Sequence, residues 1–319
     1  MPGIIDIKRR ITSIQSMRKI TRAMQLVSAA KMGKAQSATL ASRTYSSLAW
    51  ELISSLSPSS VIARNAADDS SDEALAKSEA ISSEDKQARM TPLLATYPQA
   101  KKIGVVLLST NKGLVGSLNL SLSAKIKEVD KDMEVLSELM VYGKKGKQLG
   151  VILNKNILAD FPKVDKTVSV EDVYPIAQFI TESYKTGQYR QILIIYNHFV
   201  STLVQKPTIK QLLPFTDQPE KKDLPTTHYS PPTSPEFLFE PTPTQVLEHL
   251  LPRIIESQIY QAILESDASE HSARMIMMKN ATDAAGDLIT DLTLTYNQIR
   301  QNKITTELAE ITAGKIALE

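Results

Sequence analysis

From Ile4 onward the apolar positions fall every third or fourth residue: Ile4, Ile7, Ile11, Ile14, Met17, Ile20, Met24 and Val27. That spacing marks one face of a helix. No proline interrupts the run before Pro58, and Gly33 is its single internal glycine. About 54 helical residues would make a rod of roughly 80 Å, well beyond an ordinary globular helix. Past Val27 the stripe thins into Ala29, Ala30, Ala35 and Ala38, small enough to let a second helix approach closely. That second helix is predicted from about 243 to 315, with Thr242 as its N-cap and Pro243 in its first turn. Its stripe includes Val246, Leu250, Ile254, Ile263, Leu288, Leu292, Ile299, Leu308 and Ile311, and Pro252 is expected to kink its first turns. Gly286 is expected to mark a close contact.

Between the two helices the period changes. Residues 103–109, 134–143 and 191–197 are short β-branched or leucine-rich runs that read as buried strands, while 117–132 and 171–186 read as helices. Strands alternating with helices imply an open, mainly parallel sheet covered on its faces. A further strand, 203–213, carries Pro207 and is expected at an edge. Residues 58–100 are rich in Ser, Ala and acids and read as an exposed, partly disordered insertion. Eight prolines between 214 and 243 make a stiff connector. The chain thus divides into an N-terminal long helix (1–57), an acidic insertion (58–100), a central domain (101–214), a connector (215–242) and a C-terminal long helix (243–319).

Burial then dictates the fold class. Two long amphipathic helices at opposite ends of the chain can cover their stripes only against each other, and the domain between them returns the chain. The expectation is α/β: a long antiparallel coiled coil of N- and C-terminal helices plus a central Rossmann-like open α/β domain. Placing Ser57 opposite Pro241 sets Met24 near Arg274 and Ile4 near Tyr296. About 20 residues at the end of the second helix then overhang alone for roughly 30 Å. They stay apolar at Ile304, Leu308, Ile311, Ile316 and Leu318, so a partner outside the chain is required.

Composition narrows the chemistry. The 319 residues are 42% hydrophobic and only 5% aromatic, which suits helices packed lengthwise. The absence of cysteine removes disulfides, thiol nucleophiles and cysteine-ligated metals. His198, His228, His249 and His271 are scattered without metal-ligand spacing, so no metal is expected. No apolar run reaches the length of a membrane span, and MPGIIDIKRR lacks a secretion signal; a soluble protein of a reducing compartment is expected. Net charge is +2 but uneven: residues 1–57 carry nine Lys/Arg against two Asp/Glu, and 241–319 carry six against eleven.

Two further readings stay open on residues alone. STNKGLVGSLN (109–119) follows a strand and opens a helix, where a glycine loop could hold phosphate, yet it is not GxGxxG, and Gln148 spoils a P-loop in GKKGKQ. The basic residues Lys8, Arg9, Arg10, Arg18, Lys19, Arg22, Lys31 and Lys34 fit either the solvated flanks of a coil or a scaffold binding nucleic acid or a membrane. Six methionines, Met17, Met24, Met32, Met275, Met277 and Met278, read mostly as core.

IKRRITSIQSMRKITRAMQLVSAAKM (7–32) and SEHSARMIMMKNATDAAGDLITDLTLTYNQIRQNKITTELAEITAGKIAL (269–318) closely resemble the γ subunit of F-type ATP synthase. STNKGLVGSLN and LVQKPTIKQLLP (203–214) fit the same family, and the likeness spares only about 60–98 and 216–236. The resemblance implies a noncatalytic rotor shaft, one copy per complex, without cofactor, metal, catalytic residue or nucleic acid. Its partners would be the α and β subunits of an α3β3 hexamer, the ε subunit and an ion-driven c-ring. Its place would be peripheral, on the cytoplasmic face of a bacterial plasma membrane.

Carried over by position, Lys19, Arg22, Met24, Arg274, Arg300, Gln301 and Thr305 would contact β. Lys34, Arg43, Phe237, Phe239 and Glu240 would form the foot against the c-ring and ε. Val115 and Ser117 depart from the family's usual Cys and Gly, and Pro252 is unexpected at its place in the helix. The regulatory dithiol of plastid members is absent, and the 60–98 segment is foreign to the pattern and suits a regulatory or docking role.

Overall fold

A computed structural model describes residues 3–56, 92–133, 136–166, 168–215 and 243–316. Helix α1 (Ile4–Leu56) is followed by β1 (Lys102–Leu108), α2 (Leu118–Met133), β2 (Leu136–Tyr142), α3 (Lys144–Ile152), β3 (Asn156–Phe161), α4 (Val170–Lys185), β4 (Tyr189–Phe199), β5 (Gln205–Leu213) and α5 (Pro243–Ile316). The sheet runs β3-β2-β1-β4-β5. β1 pairs in parallel with β2 and β4, β2 in parallel with β3, and β5 lies antiparallel at the edge as Pro207 suggested.

β1 is buried on both faces, which is why it reads as a continuous apolar run. Ile103, Val105 and Leu107 face Leu122 and Ile126 of α2. Val106 and Leu108 belong to the opposite core, with Ile176 and Ile180 of α4 and with Leu251, Ile255 and Ile259 of α5. The C-terminal helix is therefore shared. Its first part packs on the sheet, and up to about Ile299 it pairs with α1.

The stretch 58–100, expected to be exposed, departs from that at its end. Leu93 is 3% exposed within the core, Tyr97 packs edge-on against Tyr184, and the Tyr184 hydroxyl donates to the Ala95 carbonyl. The remainder of the 60–98 segment and the proline-rich connector from 216 lie outside the described residues. α3 and β3 were not foreseen. α3 carries Gly146 and Gly150, which imitate a loop, yet a Cβ at Gly146 would stand 2.7 Å from both Ser109 Oγ and Val141 Cγ1. The glycine lets the helix lie directly on the sheet. α5 runs unbroken through Pro252.

The register of the coil differs from the one derived by matching helix ends. Thr21 and Thr282 share a hydrogen bond of 2.8 Å, and the Arg18 guanidinium lies over Gly286, its Cζ 3.6 Å from where a Cβ would stand. Met24 is therefore level with about Lys279, not Arg274, and Ile4 with Ile299, not Tyr296. On α1 the covered positions follow a seven-residue repeat: Ile4, Ile11, Met32 and Thr39 on one line, with Ile7, Ile14, Thr21, Ser28 and Ala35 on the other. Met17, Ile20 and Val27 fall off this seam and are 56–60% exposed. A 3.5-residue period, rather than the looser three-or-four spacing, separates the two sets.

Candidate functional site

Two regions carry the polar and exposed features that packing alone does not use. One is the carboxyl edge of the parallel sheet; the other is the free end of α5.

At the carboxyl edge, open α/β sheets leave a crevice beside the strand where the order reverses, here between β1 and β4. In this chain α5 lies across it. Residues 262–270 of α5 are all buried, and they include Glu265, Asp267 and Glu270. A helix buried all round is ordinarily apolar, so each acid needs a partner. Glu265 meets His198 Nδ1 at 2.6 Å, at the end of β4. Asp267 and Glu270 both meet Lys163 Nζ at 2.6 Å, from the loop between β3 and α4. Glu270 also accepts from Arg274 at 2.6 Å. The Ser269 hydroxyl donates to the Asn197 carbonyl and the Ser272 hydroxyl to the Thr202 carbonyl.

The electrostatics follow from this enclosure. Burial alone would lower the Lys163 pKa, but Asp267 and Glu270 outweigh it and raise it above the ordinary lysine value. Burial pushes Glu270 up, yet Lys163 and Arg274 hold its carboxyl below the usual value. For Asp267 burial prevails over Lys163, and its pKa is raised. Burial takes His271 down to about 4, with Arg274 and Lys163 adding to the effect and Glu270 opposing it.

The other glycine turn, GKKGKQ at the start of α3, is closed to phosphate. At the start of α3 the Gly146 amide donates to Ser109 Oγ (2.7 Å), the Lys145 amide to the Thr110 carbonyl (2.9 Å) and the Lys144 amide to Asn111 Oδ1 (3.4 Å). These are the amides an anion would need, and the chain itself has taken them. Gly143, at φ 98°, permits the turn.

At the other region α5 outruns α1. On the observed register the pairing ends near Ile299, and every described side chain from 300 to 315 is exposed. That is about 24 Å of single helix. Ile304, Leu308 and Ile311 are 47%, 60% and 70% exposed along one side of it.

The expected site residues divide accordingly. Arg300, Gln301 and Thr305 sit together on the bare helix, with the Thr305 hydroxyl donating to the Gln301 carbonyl. Lys19 and Arg22 are exposed on α1 and Met24 is half-buried beside them. Arg274 does not join them. It is 7% exposed and held by Glu270 and by the Lys112 and Gly113 carbonyls, because the true register moves it to the carboxyl edge. Lys34 is exposed level with Ser269, about 33 Å short of the end of α1. Arg43 lies in α1; its side chain, like Phe237, Phe239 and Glu240, lies outside the described residues.

The residue that sequence reasoning missed is Lys163, a loop lysine whose partners stand about 100 positions away. The signal was on α5, where Asp267 and Glu270 occupy one face among small and apolar residues.

Comparison with known proteins gives one consistent result. The sequence model of the family described as ATP synthase matches residues 3–318. An ATP synthase gamma chain of Roseiflexus castenholzii is 35% identical across all of this chain and 99% of that relative. One of Haemophilus influenzae is 36% identical across the full length of both. Among solved structures, a chain of the Euglena gracilis mitochondrial ATP synthase (OSCP/F1/c-ring) aligns with TM-score 0.62 at 16% identity, over 99% of this chain and 94% of that one. A central-stalk chain of the Tetrahymena thermophila mitochondrial enzyme aligns with TM-score 0.54 at 21% identity, over 82% and 99%.

Proposed function

The chain belongs to the ATP synthase family, and from that premise we infer that it is the gamma chain acting as the central rotor shaft of an F1Fo ATP synthase. It performs no bond chemistry itself. It couples ion-driven rotation of a c-ring to ATP synthesis or hydrolysis on the three catalytic β subunits of an α3β3 hexamer. The observation that carries this reading is the bare end of α5, a helix that stays apolar on one side with nothing of its own chain to cover it. Exposed Met17, Ile20 and Val27 extend the same demand down the outside of the coil. A pair of helices in water hides such residues; a shaft inside a protein sleeve presents them.

The physical mechanism is differential contact. An asymmetric coil inside a threefold ring touches each β subunit differently and so biases each toward a different conformation and nucleotide affinity. Arg300, Gln301 and Thr305 on the bare helix, with Lys19, Arg22 and Met24 lower on α1, are the residues that make those contacts. Arg274 is left out of this set because its guanidinium is engaged within the chain. The foot toward the c-ring and ε subunit is formed by Lys34 and Arg43 with Phe237, Phe239 and Glu240.

As part of F1 the chain is peripheral to a membrane, and among the described residues no helix is long and apolar enough to cross one. The cytoplasmic face of a bacterial plasma membrane is the place this reading gives it. The scaffold alternative gives way to the full-length likeness to gamma chains. The test is co-expression with α and β subunits of the same source. One copy per α3β3, with ATPase turnover strongly dependent on it, is the expected result. Failure to assemble, with salt-sensitive binding to nucleic acid or lipid, would overturn the reading.

A further inference from the structure

A shaft that turns must pass torque between its coil and the α/β domain beside it. Interdigitated apolar side chains transmit strain, but the hydrophobic term itself names no partner atom. Directional contacts resist both sliding and twisting. Between α5 and the α/β domain they include the His198–Glu265, Ser269–Asn197 and Ser272–Thr202 contacts, and among the described residues Lys163 alone holds two carboxylates of α5 at once. Its side chain is 7% exposed, and its ammonium bridges Asp267 and Glu270, three residues apart and so on one face of α5. A slip of one helical turn, or rotation of α5 about its own axis, breaks both bonds.

The same loop is fastened on its other sides. Asn111 Nδ2 donates to the Lys163 carbonyl at 2.7 Å, Lys112 pairs with Asp165 at 3.0 Å, and Lys31 of α1 donates to the Asp165 carbonyl at 3.1 Å. Residues 163–165 therefore hold β1's loop, α1 and α5 at one point. Among the described residues, the buried charges at this edge are engaged with one another.

We propose that Lys163, bridging Asp267 and Glu270, is the positioning residue through which torque passes between the α/β domain and the coiled coil. This rests on the rotor reading above. Loosening it leaves the hexamer's contacts with the coil intact, so ATP hydrolysis continues while the α/β domain lags behind the shaft.

The experiment uses α3β3 assembled with this chain. Because this chain has no cysteine, a single Val151→Cys substitution, at a residue 69% exposed, gives one attachment within it for a rotation probe on the α/β domain, with α and β freed of cysteine. The variants are Lys163→Met, the milder Asp267→Asn, and the triple Lys163→Met/Asp267→Asn/Glu270→Gln, which removes the stranded charges and keeps side-chain size. The expected result is an ATPase rate within twofold of the unsubstituted complex. The probe's angular variance during catalytic pauses should rise at least twofold in Lys163→Met and the triple variant, and less in Asp267→Asn. In the membrane-bound holoenzyme, ions pumped per ATP should fall.

Unchanged variance and unchanged pumping would overturn the proposal. So would loss of assembly in all three variants, which would assign Lys163 to folding. If the unsubstituted complex neither assembles nor rotates, the rotor reading itself fails, and that outcome is seen before any variant is made.

Discussion

Thr21 of α1 and Thr282 of α5, 261 positions apart in the chain, meet at 2.8 Å between their hydroxyl oxygens across the coil. Thr282 also bonds the Met278 carbonyl at 2.7 Å. Thr21 likewise has the Arg18 carbonyl of its own helix at 3.0 Å, so a slip costs the bond across the coil and strands neither hydroxyl. Thr21→Val alone should cost ~1 kcal/mol, and the double Thr21→Val/Thr282→Val less than the sum of the two singles. Denaturant midpoints of the full chain in a double-mutant cycle would check this; additive costs would mean the pair is incidental.

Arg300→Ala/Gln301→Ala touches no intrachain side-chain partner on the exposed end of α5. Surface changes of this kind alter stability by about 0.5 kcal/mol or less. The expected outcome is an unchanged melting temperature for the chain with a severalfold loss of ATPase turnover or coupling in the assembled complex. A wild-type rate would remove these two residues from the β contacts.

His271 gives a pH dependence of defined sign. Burial holds it neutral in the fold, moving its pKa from 6.5 to about 4. Between those values the unfolded chain binds the extra proton and the folded chain does not, so stability falls as pH drops from about 6.5 toward 4. Arg274, Lys163 and Lys31 act with burial, and Glu270 acts against it. Asp267, whose pKa is raised, works in the opposite sense, so the decisive comparison is His271→Gln, in which the slope of melting temperature between pH 6.5 and 4.5 should flatten.

Two glycines should respond oppositely to alanine. At Gly143, with φ 98°, a Cβ would stand 2.7 Å from the Ser109 carbonyl oxygen, and the strain should cost ~1–3 kcal/mol. At Gly33, in the interior of α1, nothing lies within 4 Å, and alanine should stabilise by ~0.5–1 kcal/mol. Thermal unfolding of both variants tests the pair together.

The two long helices and the strands buried on both faces were legible because their periodicity is strong and unbroken. β3 was not, because it is an edge strand that alternates exposed and half-buried residues over only six positions. Nor was α3, whose glycines look like loop and serve close packing. The seam of α1 was misread past Ile14. Met17, Ile20 and Val27 continue an apolar row at helical spacing as convincingly as the residues that are really covered, and only the partner helix decides between them. At the site, the bare end of α5 followed from counting residues, with an error of about three to five positions in register. That error is what moved Arg274 from the shaft contacts to the carboxyl edge. Lys163 had no local signature at all, since a buried ion pair is written in two distant places.

The closed crevice at the carboxyl edge can be restated as a binding problem. In other open α/β sheets a small molecule arrives there by diffusion, stays for a time and departs. Here the occupant is the chain's own helix, so concentration and residence time lose their meaning and occupancy is permanent. A pocket that can never empty cannot sense a metabolite. Under the torque proposal, what varies at such a site is mechanical load, and this edge of the sheet would answer to force where its structural cousins answer to chemistry.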